Sequence, residues 1–223
     1  ERARLGVGYN PDAAISLQAR LDLNRDRFLN SPYGVIDASS GAAGADLGYV
    51  FSDDFNGTLF YGFEDQRTRE RSRQIASPNP AVLTTSAADW ENRFSDKTHS
   101  IGVGLRYKGF MGGRLELDFD AVAVRGRTPV NTTVGPAVTA AWNPATAIPD
   151  LVTRTDTVTI AARYALDRHS ALRVNYFYRR VNSQDWAYQE VGPATIASLI
   201  GTNEAPARYA VRGVGVSYVV VFR

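Results

Sequence analysis

Histidine is the first side chain to weigh for chemistry, and this chain carries two, His99 and His169. His99 follows Glu91 and Asp96 in the sequence. A histidine held by a carboxylate is the arrangement of a general base, and an outer-rim hydrolase would need one. His169 lies in a short turn, Asp167-Arg168-His169-Ser170. The two imidazoles fall at opposite ends of strands, so they share no metal or catalytic centre. Each reads as a solvated surface histidine. The chain is therefore expected not to be an enzyme, with no catalytic, metal or cofactor-binding residues.

Carboxylates come next. Glu116, Asp118 and Asp120 alternate, so in a strand they face one way, and Arg106 in the neighbouring strand stands opposite them. An ion-paired wall is favoured over a calcium site. The glycine pairs Gly6/Gly8, Gly102/Gly104 and Gly213/Gly215 precede no helix pattern and are not nucleotide loops. Two readings stay open for them: a bare wall that lets a partner's backbone approach, or relief of crowding in a curved sheet. Cysteine is absent, which removes disulfides, iron–sulfur ligation and covalent haem attachment within this chain. Asn131-Thr132-Thr133 matches a glycosylation sequon, which a bacterial-type barrel makes irrelevant.

The elements that carry these residues follow a period of two. In the closing stretch Val214, Val216, Tyr218, Val220 and Phe222 fall on one face, and Gly213, Gly215 and Ser217 on the other. Ile15, Leu17, Ala19, Leu21 and Leu23 alternate with Ser16, Gln18, Arg20, Asp22 and Asn24 without a fault. The same pattern runs through Ala3–Tyr9, Leu47–Phe51, Leu59–Glu64, Ile101–Tyr107, Leu115–Ala123, Val158–Leu166 and Leu172–Tyr178. Residues 27–41 read as a loop, as do the stretches to about residue 96, from about 127 to 153, and 183–207. About nine strands result. Short turns near 10–13, 52–57, 108–113 and 167–170 alternate with long loops.

Composition sets the frame. The 223 residues are 44% hydrophobic and 22% charged, with a formal net charge of +2, too balanced to argue for nucleic acid. No run of 18 apolar residues exists, so no helix spans a membrane. The N-terminus shows no signal-peptide pattern. A soluble sandwich or lipocalin-like barrel and a transmembrane β-barrel both fit such alternation. Strand length and the long-short order of connections favour the membrane. Five outward residues at period two, tilted, rise about 25 Å, the height of an outer-membrane barrel's apolar band.

The expected fold is thus all-β, an antiparallel transmembrane β-barrel in the bacterial outer membrane, over residues 1–223. Arg20, Asp22, Glu64, Arg106, Glu116, Asp118, Asp120, Arg163, Arg173 and Arg179 are assigned to the lumen. Leu17, Leu105, Leu117, Phe119, Ile160, Val174 and Val216 are assigned to lipid. Tyr9, Phe51, Tyr61, Tyr107, Tyr164 and Tyr218 are assigned to an interfacial girdle at the short-turn ends. Nine strands is an odd number, and the first runs toward the turn side. Either the chain is the C-terminal part of a larger barrel, incomplete at its N-terminus, or one strand escapes this count.

Several segments carry a resemblance. They are Leu59-Phe-Tyr-Gly-Phe-Glu64, Asp89-Trp90-Glu91 with Asp96 and Lys97 running into Ser100–Tyr107, Leu172–Tyr178, and Ser183-Gln-Asp-Trp-Ala187. A loop with Pro193, Ile196 and Leu199 and the closing strand complete them. Over about residues 55–223 the chain resembles the decahaem-associated outer-membrane proteins of MtrB/PioB type. Family members are longer, with many more strands, and such barrels commonly end on the aromatic, whereas Arg223 follows Phe222 here. The resemblance implies a porin-like barrel that sheathes a periplasmic multihaem c-type cytochrome, often joined by an outer-surface cytochrome. The assembly would serve extracellular electron transfer. Haem would belong to the partner, with no cofactor in this chain. The alternative function is a general diffusion porin or small-solute channel.

Overall fold

The computed structural model describes residues 1–73, 86–137, 149–185 and 207–221. Trp186, Ala187, Pro193, Ile196, Leu199, Phe222 and Arg223 lie outside the described residues, as do the middles of the three longest expected loops. Ten strands follow in order: β1 (Arg2–Tyr9), β2 (Ile15–Arg27), β3 (Gly34–Ser52), β4 (Phe55–Arg73), β5 (Asp89–Phe110), β6 (Leu115–Thr128), β7 (Val130–Val134), β8 (Leu151–Ala165), β9 (Ser170–Gln184) and β10 (Arg208–Val220). A 3-10 turn, Ser86–Ala88, precedes β5. All pairings are antiparallel, and nine strands form one meander, β1 to β6 and then β8 to β10.

The short turns hold the hairpins as their residues dictate. Asp12 accepts hydrogen bonds from the amides of Ala14 (2.8 Å) and Ile15 (2.9 Å). Asp167 does the same for His169 and Ser170, at 2.7 and 2.9 Å. Between β5 and β6 three successive residues, Met111, Gly112 and Gly113, take φ values of 54°, 66° and 83°. Two glycines there make this left-handed run possible.

Four expectations need correction. The nine-strand count omitted β7, whose Val-Asn-Thr-Thr-Val pairs only with β5. Residues 27–41 are not a loop: β3 begins at Gly34, so the β2–β3 connection is short. The loop placed up to residue 96 ends sooner, because β5 begins at Asp89. The loop from 127 to 153 is likewise trimmed by β6, β7 and β8. Above the apolar zone the side chains do not alternate apolar with polar, so the sequence pattern goes silent while the backbone ladder continues.

Register explains the shape. One row of directly opposed residues runs Tyr9, Leu17, Leu47, Leu59, Val103, Ala121, Val158. Tyr9 is the last residue of β1, while Val158 lies well before Ala165, the end of β8. That stagger is roughly seven residues over six strand steps. With the turns at one level, the strands tilt by about 40°, the value barrels use. The sheet is nevertheless open. Among the described residues β1 pairs only with β2, and β10 only with β9.

Among the described residues no second layer covers either face. Among the described residues no large side chain is fully buried, and only Gly57, Ala88, Gly102, Val130, Ala161, Ser170 and Ala171 are buried. A soluble sandwich would bury its greasy face against another sheet. On the opposite face, Phe60 stands directly across from Gly102, and Phe177 from Gly213. A Cβ on Gly102 would overlap the Phe60 ring and lie 3.1 Å from the Ala121 carbonyl oxygen. Gly102→Val is therefore expected to destabilise by about 1–3 kcal/mol. Gly6→Val, with nothing within 4 Å, should shift stability by less than about 0.5 kcal/mol. Urea midpoints of the protein refolded in micelles check this, and equal shifts would remove the packing account.

Candidate functional site: a charged face behind an apolar band

In an antiparallel sheet, residues directly opposite share a face, so register alone sorts the candidates. Arg20 stands across from Gly6 and Gly44, and Asp22 from Arg4 and Ala42. Glu64 stands across from Ala42 and Thr98, and Arg106 from Asp118. Glu116 opposes Arg163, Arg163 opposes Arg173, Asp120 opposes Thr159, and Arg179 opposes Thr157. All ten residues assigned to the lumen thus lie on one face of the sheet.

Part of that face is ion-paired. The Arg106 Nε donates to Asp118 Oδ1 at 2.6 Å and lies 3.4 Å from Glu116 Oε1, and Lys108 Nζ reaches Glu116 at 3.9 Å. Arg4 pairs with Asp22. Arg4 and Lys108 are members of the face that sequence reasoning did not single out, although their even numbers placed them on it. Arg173 donates to Asn175 Oδ1 at 3.0 Å. Among the described residues no group of His, Cys, Asp or Glu is arranged to hold a metal ion. The glycines divide. Phe60 covers Gly102, Thr58 and Asp120 crowd Gly104, and Phe177 covers Gly213, whereas Gly6, Gly8 and Gly215 have open space before them.

The other face carries the apolar candidates. Leu105, Phe119 and Ile160 form one row, and Leu117, Ala162, Val174 and Val216 another. Leu17 lies in the row of Tyr9 and Leu47. Ile160 is 42% and Val216 67% exposed. Going up each strand from the turns, the apolar positions end at a polar or charged side chain. These are Arg25, Ser39, Asp65, His99, Arg125, Asp156, Arg180 and Arg212. The band therefore has a common upper edge.

Aromatics line its lower edge. Ring centroids are 4.7 Å apart for Tyr49–Phe51, 4.5 Å for Phe51–Phe55, 6.0 Å for Phe55–Tyr107 and 4.6 Å for Tyr107–Phe110. Tyr164 and Tyr218 both oppose Leu172, and Tyr9 closes β1. Tyr61 sits higher, opposite Ala45 and Ile101, with its hydroxyl 2.8 Å from His99 Nδ1. His99 also lies against Phe63 with the rings tilted, centroids 4.9 Å apart. Asp96 projects from the face opposite to His99, and Glu91 is held by Arg71 (3.2 Å) and Arg93 (2.9 Å). The His99–carboxylate pairing considered from sequence is not assembled.

On the loop side β4 and β5 continue as a polar ribbon to the pair Arg73–Asp89. Arg73 donates to Asp89 at 2.5 Å, and this bond holds the Asp89 carboxyl below its ordinary pKa despite partial burial. For Glu91 burial pushes the pKa up, but hydrogen bonds from Arg93 and Arg71 outweigh it and the net shift is down. A carboxylate with a depressed folded pKa stabilises above its unfolded pKa, near 4, and loses that contribution as pH falls through the folded value. Below about pH 4 the ribbon tip should open. Amide exchange of residues 67–73 and 89–95, corrected for intrinsic rate, should rise there while that of Val158–Ala162 holds. A uniform response would contradict it.

The comparisons agree with this geometry. Residues 1–222 match the family model described as "Putative outer membrane beta-barrel porin, MtrB/PioB". A search of curated proteins finds no match. Among solved structures the chain is similar in fold to a chain described as copper transporter OprC. The TM-score is 0.54 at 12% identity, over 97% of this chain and 32% of that one. The ferric-catecholate import receptor Fiu from E. coli K12, closed form, matches with TM-score 0.42 and 12% identity, over 97% of this chain and 40% of that one. The chain thus spans about a third of the transporter chain and two fifths of the receptor chain. An antiparallel meander at barrel tilt, a banded apolar face and a family match along its length lead to one statement: this chain belongs to the MtrB/PioB family of outer-membrane β-barrel porins.

Proposed function

We propose that this chain is part of a larger outer-membrane barrel that sheathes a multihaem c-type cytochrome and so insulates an electron-transfer conduit across the membrane. The observation that carries the reading is the open sheet. In a nine-strand meander β1 and β10 run in the same direction, so closure on itself would need a parallel pair unlike every other pair present. An unpaired strand edge in hydrocarbon leaves several kcal/mol of unmet hydrogen bonding at each polar group. On this reading further strands complete the wall. A wider barrel encloses space that side chains cannot fill, which leaves room for a protein guest.

In this reading the apolar face meets lipid and the charged face lines the lumen. The partner is a periplasmic multihaem cytochrome inside the barrel, with an outer-surface cytochrome as a further member. The haems are the partner's, and this chain supplies no redox group. The bare wall at Gly6, Gly8 and Gly215 offers clearance for a guest's backbone.

The charged wall around Arg106, Asp118, Arg163 and Arg173 also suits a second reading, a diffusion porin for small solutes. Purification from native membranes decides between them. A haem-stained partner in constant ratio to the barrel supports the sheath. A haem-free barrel with steady ion conductance in planar bilayers overturns it and supports the porin.

A further inference from the structure

Like charges directly opposite each other in a sheet repel and destabilise it. The face that carries the apolar band has three such pairs just above the band: Arg69 across from Arg93, Lys97 from Arg127, and Arg125 from Arg154. The last two occupy successive rows and line one hollow of about 1020 Å³ together with His99 and Asp150. Carboxylates nearby do not balance them. Asp150 pairs with Arg127, and Asp156 with Arg125 at 2.6 Å. Asp65 stands across from Lys97 but bonds Arg67 at 2.7 Å. Among the described residues Lys97 and Arg154 join no ion pair.

We propose that this hollow binds the phosphate groups of glycolipid headgroups in the outer leaflet. The level fits. Ile101 and Ala123, the last apolar positions on their strands, lie immediately below His99 and Arg125 on the same face. Loops of outer-membrane barrels lie on the extracellular side, so this level is where outer-leaflet headgroups sit. The chemistry fits too. A guanidinium presents a planar fork of donors to phosphate oxygens, and a bridging anion turns cation–cation repulsion into attraction. Clusters of basic residues at a bilayer surface bind anionic headgroups in this way. The inference rests on the proposed reading that the apolar face meets hydrocarbon.

The experiment uses the protein as isolated with its natural partners, reconstituted into phosphatidylethanolamine vesicles containing purified lipopolysaccharide. A second set of vesicles contains the same lipid with its phosphates removed. Bound glycolipid per barrel is counted by native mass spectrometry. Retention of the phosphorylated lipid about tenfold or more above the dephosphorylated form is expected. The double variant Lys97→Gln/Arg127→Gln, and separately Arg125→Gln/Arg154→Gln, should each lose most of that excess. Arg20→Gln/Arg173→Gln on the opposite face should keep it. Equal retention of the two lipids by the unaltered protein overturns the proposal without recourse to any variant. Displacement by millimolar inorganic phosphate overturns it as well, because the site would then be one for free anion. Quenching of a fluorophore at Ile160→Cys by brominated lipid is measured in parallel. Its absence would sink the hydrocarbon-facing reading itself, while quenching with equal retention sinks only the headgroup site.

Discussion

Ile160→Arg should destabilise the barrel by about 2–4 kcal/mol, while Thr159→Arg, one residue away, should cost close to nothing. Ile160 sits mid-band, between Phe119 on β6 and Tyr176 on β9, and is 42% exposed. If that exposure is to hydrocarbon, a guanidinium there must be dragged to an interface or left unsolvated. Thr159 points the other way, across from Asp120 and Phe177. An arginine at that position gains a carboxylate neighbour and, on the proposed reading, a wet lumen. The urea midpoint of the reconstituted barrel, and its resistance to unfolding in detergent at room temperature, measure both variants. The reverse order of effects would mean that the faces are exchanged. The lumen and lipid assignments would then fail together.

The second large effect is all-or-none. The chain has no cysteine, so introduced pairs report without background. Val174 and Val216 are directly opposite on β9 and β10. Val174→Cys/Val216→Cys should oxidise nearly to completion, because directly opposed Cβ atoms lie about 4.5–5.5 Å apart, close to disulfide range. Val7→Cys combined in turn with Val214→Cys, Val216→Cys or Tyr218→Cys should give no intramolecular disulfide, since β1 and β10 are both sheet edges. A disulfide between β1 and β10 in high yield would show that this sheet closes on itself. The wide-barrel argument for a cytochrome guest would fall with it. The two experiments are independent, because the first tests which way the faces look and the second tests how many strands make the wall.

The sequence alone was enough to settle several matters, and one physical reason covers them. A strand between lipid and water must alternate, so Leu17, Ala19, Leu21 and Leu23 against Gln18, Arg20 and Asp22 declared both the strand and its two faces. Asp12, Gly112, Gly113 and Asp167 declared the turns, because few residues can make those bends or satisfy those amides. From these followed the all-β class, the meander order and the shared face of the ten charged candidates.

Pairing decided the rest. A period of two fixes which face a side chain takes but not which neighbour it meets, since a slip of two residues keeps every face intact. The stagger from Tyr9 to Val158, the Arg106–Asp118 bond and the opposition of Lys97 to Arg127 therefore needed the folded sheet. So did the upper reaches of β3 and β5, along with β7, which carry no clear apolar–polar alternation. So, too, did the two unpaired edges, because a strand's own residues do not record whether another strand lies beside it.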